Sequence, residues 1–304
     1  MMTTQEKKQV VNQITIEKER YGSYNRLSRV CNVSNATISN MLNGKWESIS
    51  DEIWRSVANT VGHKGNWVIA ETYNIKQMFQ VIGTARHTRS FWAVSYKAGS
   101  GKTASINQYC KLHTVGVYSI QAQEWTQRQF LLSLAQTLGI SPAKGYNSIA
   151  MLIEAISDFF YKRSNENPIL LIDEADKLKD GAKRMLIPLY NKLEDKLACV
   201  IAGTENLEHE IKRGVRNAKK GFDEIDSRFG RTYFKLAGAT FKDIAMICKA
   251  NGVDDPAVIK RIFSQCRPVS AVISGVSVQI VEDIRPVKNL VRAEKAMNKE
   301  LNFA

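Results

Sequence analysis

One octapeptide constrains this chain more than any other: Tyr96-Lys-Ala-Gly-Ser-Gly-Lys-Thr103, set between an apolar run and a stretch of helical character. A glycine-rich turn between a strand and a helix lets backbone N–H groups face an anion, and the helix N-terminus adds a favourable dipole. Lys102 is placed to reach the outer phosphates of a nucleoside triphosphate, and the Thr103 hydroxyl to ligate Mg²⁺. Ala98, Gly99, Ser100, Gly101 and Ala104 complete the expected contact surface. The full pattern begins with glycine, and here Tyr96 stands in that place. The two glycines that crowd the phosphates are kept, which predicts binding with a differently shaped loop entrance. Further along, Ile169-Leu-Leu-Ile-Asp-Glu174 is a buried-strand run ending in two carboxylates. Asp173 is suited to hold the cation's water shell, and Glu174 to polarise an attacking water. Alone, each element has a bland alternative: a chance glycine turn, or a solvated acidic turn. Together they point to a site for ATP and Mg²⁺.

The pattern around these motifs is α/β. Apolar runs at 91–96, 115–120, 169–173, 197–203 and 232–236 alternate with helical stretches near 102–112, 127–138, 147–163 and 181–196, the signature of a parallel sheet. Residues 1–62 read as short helices only. After Gly238 the pattern predicts helices alone, with Thr240 and either Asp254 or Asp255 as N-caps. The expected domains are therefore 1–62, 63–238 and 239–304, with Gly62–Asn66 as a hinge. The chain has 304 residues, a length that fits two or three domains. No run approaches the ~18–20 apolar residues of a spanning helix, and the polar N-terminus offers no secretory signal. Cys31, Cys110, Cys199, Cys248 and Cys266 form no CxxC pair and fit buried thiols in a reducing compartment. The expectation is a cytoplasmic protein without membrane contact.

In the first 62 residues, Leu27, Val30 and Cys31 make one apolar helix face. Ser34 is placed to cap a second helix with inner face Ile38, Met41 and Leu42, stopped by Asn43-Gly44. This helix-turn-helix outline leaves the second helix free for a major groove. The string from Val33 to Gly44 resembles the recognition segment of lac-repressor-like and lambda-repressor-like DNA-binding domains. No Lys or Arg occurs between Ser34 and Asn43, so the commonest guanine contacts are missing there. Asn35 and Asn40 are the candidates for reading adenine, and Thr37, Ser39 and Lys45 for holding phosphates. The alternative is a helical docking module that binds no DNA.

From about residue 70 onward the phosphate loop and acidic strand end resemble those of AAA+ ATPases. The resemblance implies an AAA+ P-loop parallel-sheet core with an α-helical lid, preceded here by the small all-α module. It implies that Thr204 is the polar sensor of the lytic water. It makes Arg228, in Ile225-Asp-Ser-Arg-Phe-Gly230, an arginine finger, with Arg231 as the fallback. It makes Arg267 the lid's nucleotide-sensing arginine, although Arg267 precedes Pro268 and lacks the usual surrounding motif. An N-terminal helix-turn-helix followed by one compact AAA+ module resembles the transposon target-selection ATPases, the group that includes phage Mu transposition protein B. That likeness implies an ATP-dependent homo-oligomer, a ring or helical filament, on duplex DNA. Such an assembly delivers target DNA to a transposase and dissociates on hydrolysis, in a bacterial or phage-infected cell. The rival readings are a replication initiator or helicase loader, and a transcription regulator that binds ATP without hydrolysing it.

Charge agrees with a polyanionic partner. The chain carries a formal +13, and residues 63–238 hold 25 basic against 17 acidic residues. Candidate DNA contacts in the core are Arg128, at the end of the loop beginning at Gln121, together with Lys144. A second group is Lys212, Arg213, Arg216, Lys219 and Lys220, just ahead of the finger. Lys177, Lys179, Lys183 and Arg184 form a dispersed third group. The alternative for each is a solvated charged face. Binding through phosphates alone would be largely independent of sequence.

Overall fold

The computed structural model describes residues 2–61, 67–141, 147–273 and 275–301; the expected hinge at Gly62–Asn66 and the candidate contact Lys144 lie outside the described residues. Four helices come first: α1 (Thr4–Tyr21), α2 (Tyr24–Val30), α3 (Asn35–Leu42) and α4 (Asp51–Thr60). Side chains cap the N-termini of α1 and α3, the latter by the expected Ser34. Thr3 and Glu6 close a capping box on α1, and the Ser34 side chain accepts from the Thr37 N–H to start α3.

The middle of the chain runs α5 (Tyr73–Thr88), β1 (Phe91–Ser95), α6 (Lys102–Leu112), β2 (Val117–Gln121), α7 (Gln127–Thr137), α8 (Ile149–Tyr161) and β3 (Ile169–Asp173). It continues through α9 (Asp180–Lys183), α10 (Leu186–Leu193), β4 (Ala198–Gly203), α11 (Glu205–Arg216), α12 (Phe222–Arg228) and β5 (Tyr233–Phe234). The strands form one parallel sheet in the order β2-β3-β4-β1-β5. The register pairs Gln121 with Asp173 and Ser95 with Gly203, so the carboxyl ends of β1, β2, β3 and β4 finish on one edge. In open α/β sheets that edge is where ligands bind.

Strands β3 and β4 are buried along their whole length because both faces of the sheet are covered. Leu170, Ile172, Cys199 and Ile201 pack into one cluster, whereas Ile169, Leu171, Ala198, Val200 and Ala202 pack into the other. The first cluster does not stop at the sheet. It continues through Phe130, Phe160 and Tyr118 into Tyr21, Leu27, Ile38, Met41 and Trp54 of the N-terminal helices. Helix α1 therefore has no separate core; it leans on the β2 side of the sheet. The Tyr118 hydroxyl donates to the Arg20 carbonyl at 3.2 Å, and the Arg20 guanidinium donates to the Cys110 carbonyl at the end of α6.

The last part departs from the helix-only expectation. Helices α13 (Phe241–Ala250), α14 (Pro256–Gln265) and α15 (Arg285–Leu301) are present, with Thr240 and Asp255 as the N-caps of the first two. Between and before them run β6 (Ala239–Thr240), β7 (Val269–Ile273) and β8 (Val276–Val281), an antiparallel sheet in the order β6-β8-β7. The cause is local. Val269-Ser-Ala-Val-Ile273 and Val276-Ser-Val-Gln-Ile-Val281 are β-branched alternating runs flanking a glycine with φ +80°.

The contact between α1 and the sheet yields a stability prediction. Arg20 and Glu17 are both buried and paired at 2.7 Å. Arg20→Ala leaves the Glu17 carboxylate buried without its cation. Removing one member of a buried pair costs about 3–5 kcal/mol. Urea unfolding should register a loss of that size, and adding Glu17→Gln to Arg20→Ala should recover part of it.

Candidate nucleotide-binding site

The loop from Tyr96 to Gly101 is held by its own lysine. The Lys102 side chain is 8% exposed, and its Nζ donates to the Tyr96 carbonyl (2.8 Å), the Lys97 carbonyl (2.8 Å) and Ser100 Oγ (3.2 Å). Burial pushes the Lys102 pKa below its ordinary value, against the opposing pull of Asp173 and Asp176. Asn74 from α5 donates to the Ser100 carbonyl from behind at 3.0 Å. Gly99 and Gly101 take φ of +74° and +95°, a region that side-chain-bearing residues avoid. Tyr96 fits because its backbone N–H joins the sheet edge at the Gly203 carbonyl (3.3 Å) while its ring packs against the second core cluster.

The two proposed cation ligands meet directly. Thr103 Oγ1 donates to Asp173 Oδ2 at 2.6 Å, and the Glu174 N–H donates to Asp173 Oδ1 at 3.0 Å. Burial raises the Asp173 pKa, and both hydrogen bonds oppose it. A hydroxyl beside a half-satisfied buried carboxylate is a hard-oxygen donor set, which fits Mg²⁺ bound with waters and phosphates. Among the described residues no group of three or more His, Cys, Asp and Glu side chains converges as a protein-only metal cage.

Glu174, the residue after β3, sits in the left-handed region, φ +53°. Its carboxylate accepts from Lys177 at 2.7 Å and Gln121 at 2.9 Å. Partial burial raises its pKa, but these bonds outweigh burial and leave it below its ordinary value. Thr204 caps α11, and its hydroxyl donates to Asp176 Oδ2 at 2.7 Å.

These residues open into a cavity of about 1290 Å³, which is also lined by Arg20 of α1 and Thr60 of α4, by Val68 and Ala70, and by α15. The cations that α15 contributes are Arg285, Lys288, Arg292 and Lys295. Arg267, the arginine expected to sense the nucleotide, lies apart from these cations. That residue is exposed in the turn between α14 and β7, with φ +54°, and is not among the residues lining the cavity. Spacings of three, four and three along one helix carried the missed signal. Before α15, the segment Glu282-Asp283-Ile284 lies across the phosphate loop. The Ile284 N–H donates to the Gly99 carbonyl at 3.0 Å, Glu282 lies 3.7 Å from Lys97, and a β-carbon at Gly99 would collide with the Asp283 carboxylate.

The remaining candidates lie elsewhere. Arg228 is outside the cavity lining; it donates to Asn191 Oδ1 at 2.9 Å and pairs with Glu224 at 3.4 Å. Arg231 pairs with Asp223 and Asp226. On α3, Asn35 and Ser39 face solvent, Asn40 and Thr37 are half-buried, and Lys45 beyond its end is exposed. Arg128 is half-buried and donates to the Asn147 carbonyl at 3.4 Å. Lys212 and Lys219 pair with Glu208 and Asp180, whereas Arg213, Arg216 and Lys220 project into solvent.

The Asp283 contact gives a binding prediction. A unit charge at about 4 Å is worth about 1 kcal/mol even in water. Asp283→Asn should tighten nucleotide binding roughly fivefold, measured by titration with a fluorescent ATP analogue. Unchanged affinity would place this carboxylate outside the phosphates' field.

Comparison with known proteins agrees with this geometry. Residues 85–211 match the model of an AAA domain. Among solved structures, the crystal structure of Cdc6p from Pyrobaculum aerophilum is similar, with a TM-score of 0.53 and 14% identity over 74% of this chain. The matched part covers 61% of that protein, and at such identity the likeness bears on fold alone. No curated protein matches the chain. The chain thus carries an AAA-type ATPase domain on a five-stranded parallel sheet.

Proposed function

We propose that this protein hydrolyses ATP in assemblies on duplex DNA and selects target DNA for a transposase. The observation that carries the hydrolytic part is the convergence of Lys102, Thr103, Asp173, Glu174 and Thr204 on one cavity. Bound Mg²⁺, held by Thr103 and by Asp173 through water, would neutralise charge on the phosphate oxygens. The chain's own groups do the rest. Lys102 and the loop N–H groups fix the phosphates, Glu174 takes a proton from the attacking water, and Thr204 orients that water. Its low-shifted carboxyl keeps Glu174 ionised, as a base must be. Arg285 replaces Arg267 as the cation reaching the nucleotide from the C-terminal part.

Arg228 lies off the cavity of its own subunit, which suits a finger given to a neighbour's site. Guanidinium is the right group: always charged, and forked to meet phosphate oxygens. DNA contact rests on the overall +13, the solvent-facing Asn35 and Ser39 of α3, and the solvent-facing cations of α11 and the segment after it. Delivery to a transposase is the finer part of the reading, and rests on a helical DNA-binding module placed before the ATPase domain. One observation favours the initiator alternative. The C-terminal part carries a β-hairpin beside a helix pair, and a Cdc6p is among the solved structures whose fold the chain resembles.

Two outcomes test the reading. Glu174→Gln should bind ATP normally, lose DNA-stimulated turnover, and form longer-lived DNA complexes in ATP; dissociation at the wild-type rate would remove hydrolysis from the control of release. Arg228→Ala should bind ATP but turn over poorly, by a factor on the order of 10³–10⁵ if the finger acts as in related phosphoryl transfers. Mixing it with Lys102→Ala should restore some activity, since one intact composite site can form. No recovery at any ratio would mean that Arg228 does not act between subunits.

A further inference from the structure

The acidic run after β3 contains a third carboxylate to which the chemistry above gives no task. Asp176 sits in the single 3₁₀ turn Ala175–Lys177. Its Oδ2 accepts the Thr204 hydroxyl proton at 2.7 Å. Its Oδ1 is buried and has no hydrogen-bond partner among the described residues. A β-carbon at Gly203, the last residue of β4, would come within 2.7 Å of that Oδ1, so the strand end leaves this carboxylate just enough room. The turn is pinned from the far side. Buried Lys183 donates to the Asp176 carbonyl at 3.3 Å and pairs with Glu210 at 2.5 Å.

The hydroxyl of Thr204 can be accounted for in full. A threonine hydroxyl has one proton to donate and two lone pairs to accept with. The proton goes to Asp176, which as a carboxylate can only accept. One lone pair takes the Asn206 N–H at 3.3 Å, the N-cap bond of α11. A single acceptor position is left, on a side chain that lines the cavity. An attacking water has two protons. Glu174 can take one, and the other needs an acceptor that holds the oxygen lone pair toward the phosphate.

We infer that Asp176 is a positioning residue: by holding the Thr204 proton it makes that hydroxyl an obligate acceptor for the attacking water. Without Asp176 the hydroxyl rotates and can donate instead, which turns the water away from attack. The inference rests on the ATPase reading above.

The test is a double-mutant cycle in the full chain. Wild type, Asp176→Ala, Asp176→Asn, Thr204→Val and the Asp176→Ala/Thr204→Val pair are compared for turnover, for affinity toward a fluorescent ATP analogue and for melting temperature; Lys102→Ala sets the turnover baseline. Asp176→Ala should lower kcat by roughly ten- to a hundredfold, the range seen when outer partners of site ligands are removed. Its nucleotide affinity and KM should stay within about twofold. The double variant should be no slower than Thr204→Val alone, since residues acting as a unit are not additive. Asp176→Asn keeps an acceptor oxygen and should keep most of the turnover. Melting losses of the two single variants should likewise fail to add. A further tenfold loss in the double variant, equal losses of affinity and kcat, additive melting shifts, or an Asn variant as poor as Ala would each overturn the proposal. Wild-type turnover left intact by Asp176→Ala overturns it alone. Wild-type turnover no higher than Lys102→Ala overturns the ATPase reading and this inference with it.

Discussion

A buried ammonium organises this protein. Taking Lys102 out of water costs free energy that only well-placed acceptors offset. The acceptors are the Tyr96 and Lys97 carbonyls and the Ser100 hydroxyl, three groups of the loop that precedes it. Tying them to one point curls the loop and aims its N–H groups at the cavity. The curl is possible only because Gly99 and Gly101 enter the left-handed region. It also explains why Tyr96 does not spoil the loop: that position contributes its carbonyl to Lys102 and its N–H to β4, and neither contact depends on a glycine there.

Once the loop is fixed, the parallel register does the rest. Ser95, at the end of β1, pairs with Gly203, at the end of β4. The next residues, Tyr96 and Thr204, therefore leave the sheet side by side. Ser95 Oγ ties the edge again by donating to the Thr204 carbonyl at 2.8 Å. Strand β3 ends one place over and carries Asp173 to the Thr103 hydroxyl. Residues from four separate stretches thus meet without any long loop having to be ordered, and little conformational entropy is left to lose on binding.

How much of this the sequence discloses varies with the range of the interaction. The five strands of the main sheet, the capping residues Ser34 and Thr240, and the apolar faces of α2 and α3 are set by neighbours a few positions apart, and they read directly. The sequence leaves the cap of α14 between Asp254 and Asp255, and the fold uses Asp255. The hairpin at 269–281 was also written locally, in two β-branched runs around a glycine. The helix-only reading of the pattern after Gly238 passes over these runs. What cannot be read locally is which surfaces meet. The apolar positions of α1 look the same whether they cover a free-standing bundle or the flank of a sheet. Only the folded chain shows Tyr21, Tyr118 and Phe160 in one cluster. The same limit applies to the basic residues of the C-terminal part, because the path of the hairpin decides that the α15 stripe lines the cavity while Arg267 does not.

That path has a consequence for how the parts communicate. The cavity is bounded by α1 and α4 on one side, by the sheet edge below, and by α15 opposite, so each of the three sequence regions contributes wall. The segment from β8 into α15 adds acidic groups, Glu282 and Asp283, beside a loop that must receive phosphates. The opposing charges need not cancel. The cations of α15 favour a triphosphate entering the cavity, whereas Asp283 opposes its close approach to Gly99. Because Arg20 of α1 holds the carbonyl of Cys110, at the far end of the helix that begins with Lys102, a change at the loop has a packed, hydrogen-bonded route to the N-terminal helices. A flexible tether would carry no such coupling. The Arg20 bond thus joins α6, whose buried apolar residues belong to the second cluster, to N-terminal helices whose core is continuous with the first.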